Sequence, residues 1–186
     1  ILALAPISSE MFEGAVVVDA KTGTSGAGRE PQASMHHPSR SADCTAYKLL
    51  QHRHEPEIRQ ALGGSLSDAP TMMFIPHRLP VSRGILVTAY ATLQTPIDTK
   101  TLRDRFERLY ASSPFVRFRG SSPRLVDVIG TNFFDLHVTT RGRQIAILVA
   151  IDNLGKGMAG QCVQNLNVAF ELPEELGLLV PSLGPV

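Results

Sequence analysis

Tryptophan is absent from this chain of 186 residues, cysteine occurs only twice, and charged side chains make up just 19% of it. Two cysteines, Cys44 and Cys162, are too few for a disulfide framework and point to a reducing, cytoplasmic setting. No apolar run approaches the roughly 20 residues that span a bilayer, so no membrane association is expected. No basic segment introduces a signal peptide. A net charge of +1 gives no electrostatic reason to expect nucleic acid as a partner. What the chain does have is a 43% hydrophobic content, enough to build a sizeable core in one domain or in one domain plus part of another. The charged fraction falls below the roughly 25% of ordinary globular chains, which fits a surface partly hidden against a partner subunit or another domain.

The chain opens on Ile1-Leu2-Ala3-Leu4-Ala5-Pro6, without an initiator methionine and with helical apolar spacing. It is therefore expected to be the C-terminal part of a longer protein. Gly14 to Ala20 is a β-branched run that reads as a buried strand, followed by a Gly/Ser/Thr loop from Lys21 to Arg29. Residues 30 to 45 are polar and carry two prolines, as expected of a long surface excursion. Short strands are predicted at Tyr47–Leu50, Thr71–Ile75, Arg83–Leu93, Phe115–Phe118, Leu125–Ile129, Phe133–Thr139 and Gln144–Ile151. A helix is predicted from Pro56, another over Asp98–Tyr110 with Asp98 as N-cap, and a last one over Lys156–Phe170. Many strands with few, clustered helices indicate an α+β domain built on a mostly antiparallel sheet.

Chemistry concentrates in His52-Arg53-His54-Glu55-Pro56-Glu57, which places two imidazoles, a guanidinium and two carboxylates ahead of a helix. The positive end of a helix disfavours imidazolium and keeps a histidine neutral, available for proton transfer. The loop Thr22 to Arg29 offers backbone that side chains do not block, suited to close approach by a ligand. Asn153 and the small residues Gly157, Ala159 and Gly160 open the last helix in the same manner. His36, His37, Cys44, His52 and His54 lack the paired short spacings of structural zinc, so no metal is expected. His77 and His137 read as structural, Cys162 as a small core residue, and Cys44 has no base fixed beside it.

The blocks VVVDAKTGTSGAGR (16–29), AYKLLQHRHEPEI (46–58), FIPHRLPVSRGILVTAY (74–90), YASSPFVR (110–117) and AIDNLGKGMAGQCVQNLN (150–167) cover the chain almost end to end. Together they resemble the C-terminal catalytic and dimerisation domain of N-acetyl-γ-glutamyl-phosphate reductases, relatives of aspartate-semialdehyde dehydrogenase. The resemblance implies a glyceraldehyde-3-phosphate dehydrogenase-like domain, with helices on one face of a mixed sheet and the Rossmann domain absent from this chain. It implies NADPH-dependent reduction of N-acetyl-glutamyl 5-phosphate to the semialdehyde in arginine biosynthesis, through a cysteine thioester. That cysteine would lie ahead of Ile1, so this chain alone is expected to be inactive.

Carried over by motif, His52 becomes the general acid/base with His54 as its fallback, and Glu57 orients the imidazole. Arg29, Arg53 and Arg83 are candidates for gripping substrate phosphate or carboxylate. Ser25, Gly26 and Gly28 would border the nicotinamide of NADP, and Asn153 would meet its carboxamide. Residues 1–152 would form the catalytic and dimerisation domain, and 153–186 a helix and tail returning to the nucleotide domain. The implied partners are a small acyl-phosphate substrate and further copies of the chain, as a dimer or tetramer. The sequence departs from the family pattern at Arg78, where an apolar residue is usual, and at Gly155 and Met158. Two other readings stay open: a carrier-protein-linked acyl-phosphate reductase of lysine or ornithine synthesis, or a non-catalytic interaction remnant of the domain.

Overall fold

The computed structural model describes residues 1–7, 9–28, 30, 32–63 and 70–183. Its strands are β1 (Val16–Thr22), β2 (Thr45–Ala46), β3 (Met72–Arg78), β4 (Ile85–Thr92), β5 (Val116–Phe118), β6 (Phe134–Arg141) and β7 (Gln144–Ile151). Its helices are α1 (His37–Arg40), α2 (His54–Gly63), α3 (Thr99–Leu109) and α4 (Gly160–Ala169), the last entered through a π-turn at Gly155–Ala159. The strands form one sheet in the order β2-β3-β1-β4-β7-β6-β5. β1 runs parallel to β3 and β5 to β6, and the other four pairings are antiparallel. The expected mixed, mostly antiparallel α+β architecture is what the chain adopts.

Alternation along the strands decides which face is covered. Val16, Val18 and Ala20 of β1 are buried together with Met72 and Phe74 of β3 and Ala89 of β4. The same cluster takes Ala3, Leu4 and Ile7 from the opening turns and Leu102 and Phe106 from α3. Burying each large side chain contributes about 1.5 to 3 kcal/mol relative to exposure. Helix α3 starts where Asp98 accepts the Thr101 N–H at 2.8 Å, the predicted N-cap. Its inward stripe is Leu102, Phe106 and Tyr110, while Leu109 faces solvent. The opposite sheet face carries Val17, Tyr90, Ala146 and Thr139 and is open.

Several local expectations are corrected. Helix α2 begins at His54, two residues before Pro56, because the first N–H groups of a helix have no intrahelical acceptor and proline in the first turn removes nothing. Leu125–Asp127 is a 3-10 turn rather than a strand, since a short apolar run does not by itself distinguish the two. The strand expected at Tyr47–Leu50 is two residues earlier, at Thr45–Ala46, and Lys48 and Leu50 turn the chain instead, at φ 47° and 55°. Cys162 is exposed on α4 rather than in the core, and Cys44 is exposed too.

Candidate functional site

The histidine cluster is built by the turn between β2 and α2. The Tyr47 N–H donates to the Pro76 carbonyl at 3.0 Å, extending the β2–β3 ladder by one residue. The backbone then doubles back through the two left-handed residues Lys48 and Leu50, a conformation costing roughly 1 kcal/mol each for non-glycine residues. The turn returns His52 over the sheet. His52 is only 8% exposed, with its ring centroid 5.2 Å from that of Phe74 and 5.6 Å from that of Tyr47. Since Phe74 belongs to the core that takes in Ala3 and Leu4, the imidazole lies on the helix-covered face, the face of the chain's opening turns.

The ring is oriented through Nδ1, which accepts the backbone N–H of His54 at 3.3 Å. In the neutral ring the proton is then on Nε2, which acts as a donor. Burial holds the pKa of His52 below its ordinary value, and the positive charges of His54, Lys48 and Arg53 act in the same direction against Glu57 alone. Glu57 is exposed, and among the described residues no hydrogen bond joins it to the imidazole. The orienting contact expected of it comes from the His54 amide. His54 packs its ring edge-on to His52 at 4.7 Å, and Arg53 is exposed.

A second cluster lies at the carboxyl end of β1. Thr24 and Ser25 donate their N–H groups to Val81 and Ser82, and Gly23 to Gly84, so the loop after β1 is stitched to the loop before β4. A Cβ at Gly23 would come within 2.8 Å of Arg83 N and Ser82 O, so that position admits only glycine without a backbone shift. Asn153 closes the clamp from the end of β7, accepting the Gly84 N–H at 2.7 Å and donating to Ser25 Oγ at 2.8 Å. Ser25, Gly26 and Asn153, singled out separately in the sequence, are thus one unit, with Gly26 within 4 Å of Asn153 Nδ2 for a built Cβ. Gly28 follows at φ 85°, with no atom of the described residues beyond its chain neighbours within 4 Å of a built Cβ, and Arg29 falls outside the described residues.

Arg83, partly exposed, donates through Nη2 to Asp152 Oδ1 at 3.0 Å. Asp152 is fully buried and also accepts from the N–H groups of Gly130, Leu154 and Gly155. Burial alone pushes its pKa up, but those amides and Arg83 outweigh it and hold the carboxyl below its usual value. Sequence reading passed over Asp152, and also Lys156, which is buried and donates to Gln164 Oε1 at 2.6 Å. Asp152 caps the local amides of Leu154 and Gly155, but its guanidinium partner lies 69 residues away, and the Gln164 partner of Lys156 lies 8 residues on. Tyr47, the ring between His52 and the end of β3, was likewise read only as part of a strand. Among the described residues no group of three or more His, Cys, Asp or Glu is placed to hold a metal, and no helix is long and apolar enough to cross a membrane.

Residues 1–153 match the family described as "Semialdehyde dehydrogenase, dimerisation domain". The chain is 44% identical over 170 residues to N-acetyl-γ-glutamyl-phosphate reductase of Brevibacillus brevis, covering 89% of this chain and 49% of that protein. It is 43% identical over 188 residues to the reductase of the same name from Methanopyrus kandleri, covering 100% of this chain and 54% of that protein. The chain therefore spans about half the length of the curated relatives it matches. In structure it is similar to aspartate semialdehyde dehydrogenase II from Vibrio cholerae, with TM-score 0.69 and 17% identity over 90% of this chain and 58% of that one. By sequence match over residues 1–153, supported by the shared fold, the chain belongs to the semialdehyde dehydrogenase dimerisation-domain family.

Proposed function

We propose that the full-length protein reduces N-acetyl-glutamyl 5-phosphate to the semialdehyde with NADPH, releasing phosphate, as a step of arginine biosynthesis. The observation that carries this reading is His52: a buried, neutral imidazole with Nδ1 fixed by a backbone amide and Nε2–H left to donate. In the proposed reaction a cysteine thiolate from polypeptide ahead of Ile1 attacks the acyl carbon, forming a thioester as the bond to phosphate breaks. His52 Nε2–H donates to the oxyanion that develops at that carbon, and the depressed basicity of the ring suits it to donation at neutral pH. NADPH, when bound, supplies the hydride that turns the thioester into aldehyde and frees the thiolate.

The residues present fit a nicotinamide carboxamide. Ser25 Oγ accepts from Asn153, so its own hydrogen remains available to a carbonyl oxygen. Asn153 Nδ2 keeps its second hydrogen, and the open Gly26–Gly28 backbone lets a flat ring approach. Residues 153–186 are assigned to the contact with the nucleotide domain, an assignment supported by apolar side chains left outward on α4 and the tail, among them Leu166, Phe170 and Leu172. The open sheet face is assigned to a second copy of the chain, in keeping with the family description.

The test uses full-length protein with NADPH and the acyl phosphate. NADPH oxidation should be matched mole for mole by phosphate release and abolished by alkylating the upstream cysteine. Oxidation without phosphate release, or none at all, removes the reading. Sedimentation of the same protein as a clean monomer removes the assignment of the open face.

A further inference from the structure

Asn153 lies in neither a strand nor a helix: β7 ends at Ile151 and the π-turn begins at Gly155. Its neighbour Asp152 supplies the order that regular structure does not. Asp152 Oδ1 accepts the N–H groups of Leu154 at 2.8 Å and Gly155 at 2.7 Å, so the carboxylate bends back over the peptides that follow Asn153. The Asp152 main-chain carbonyl accepts the Gly157 N–H at 2.9 Å, an i→i+5 bond of the π-turn. Asp152 Oδ2 accepts the Gly130 N–H at 2.7 Å and ties the same turn to the loop ahead of β6. Asn153 therefore sits in an arc of backbone whose two ends are held by one residue.

The side-chain amide of Asn153 is held by the same residue at one remove. Asn153 Oδ1 accepts the Gly84 N–H at 2.7 Å, and the residue before Gly84 is Arg83, whose guanidinium reaches Asp152 Oδ1 at 3.0 Å. A closed circuit runs from Asp152 through Arg83 and Gly84 to Asn153 and back along the chain. With Oδ1 anchored by that N–H, the amide turns Nδ2 to Ser25 Oγ at 2.8 Å. A neutral asparagine or serine would cap the Leu154 and Gly155 amides as well. The charge of Asp152 adds the hold on Arg83, and thereby on the loop that carries Gly84.

We infer that Asp152 is the positioning residue of the cofactor site: it touches no ligand itself, but fixes the amide plane of Asn153 and, through it, the Ser25 hydroxyl, so that both donors meet the nicotinamide carboxamide oxygen. This rests on the proposed reading of Ser25 and Asn153 as the carboxamide contacts. Asparagine at 152 would keep an acceptor for the Leu154 and Gly155 amides. It would lose the charge that holds Arg83, or turn an N–H against that of Gly130, and the circuit would slacken at the link that sets Asn153.

The test uses full-length enzyme and reads binding directly by titration calorimetry. Three probes are compared: NADPH, its thionicotinamide analogue, in which weakly accepting sulfur replaces the carboxamide oxygen, and phosphoadenosine diphosphate ribose, the cofactor without its nicotinamide. Asp152→Asn should raise Kd for NADPH about tenfold, erase most of the wild-type preference for NADPH over the thio analogue, and leave the probe without nicotinamide within about twofold. Asn153→Ala should weaken NADPH similarly, and adding Asp152→Asn to it should cost no further affinity although the urea midpoint falls again. Additive losses of affinity, equal weakening of all three probes, or an unchanged Kd would make Asp152 a fastening only and overturn the inference. Should Asp152→Asn fail to fold, the wild type decides: bound NADPH should slow amide hydrogen exchange at Gly130, Leu154 and Gly155, and unchanged exchange there overturns the inference. Wild-type enzyme that does not bind NADPH, or Asn153→Ala that binds it as well as wild type, overturns the underlying reading instead.

Discussion

Two buried polar centres, Asp152 and His52, are solved by this fold in opposite ways. Asp152 receives three backbone amides and a guanidinium, so both oxygens are hydrogen-bonded and the buried carboxylate is stabilised by the protein itself. His52 has one ring nitrogen tied to one amide, positively charged neighbours that oppose its protonation, and an approach loop containing two left-handed non-glycine residues. A polar group with every hydrogen bond made has nothing left to offer a ligand; it fastens elements together. A polar group left with spare capacity, on strained backbone, is poised for a ligand that completes it. Arg83 and Arg78 repeat the contrast among guanidiniums, one neutralised by Asp152 and the other stacked on Tyr47.

The contrast can be broken by substitution. Asp152→Ala should cost about 3 to 5 kcal/mol in urea unfolding, since it strands Arg83 and three amides at once. A loss below about 1 kcal/mol would show that Asp152 is not the fastening it is taken for. His52→Ala should do the reverse, lowering turnover of the full-length enzyme at least a hundredfold, equivalent to about 2.7 kcal/mol of barrier, with little change in the unfolding midpoint. Near-normal turnover would transfer the proton-donor role to His54. Leu50→Gly should stabilise by up to about 1 kcal/mol, because glycine takes φ 55° without steric cost and the leucine side chain is already exposed. Destabilisation there would mean the loop is not strained.

Acid titration should separate the two centres. Both groups have folded-state pKa values below their ordinary ones, so each contributes stability above its ordinary pKa and loses it as pH falls through the lower folded value. For His52 that loss begins as pH drops below about 6.5; for Asp152 it begins only below about 3.8. Unfolding free energy measured against pH should therefore decline in two stages, and His52→Gln should flatten the upper one while leaving the lower. A single stage unaffected by that substitution would remove the contribution of His52.

The sequence by itself determined the strand alternation that divides the sheet into a covered and an open face, the Asp98 cap, the histidine cluster and the glycine loop. Each of these depends on residues a few positions apart, where period, capping and turn chemistry act locally. The family blocks were legible for the same reason, since they are contiguous. Tertiary structure alone decided that the His54 amide rather than Glu57 orients His52, that Arg83 pairs with Asp152, and that Tyr47 lies between Arg78 and the imidazole. Those outcomes follow from sheet register and from where two loops cross. A side chain's partner in space is set by which strands become neighbours, and residues 69 positions apart carry no mark of that in their order along the chain.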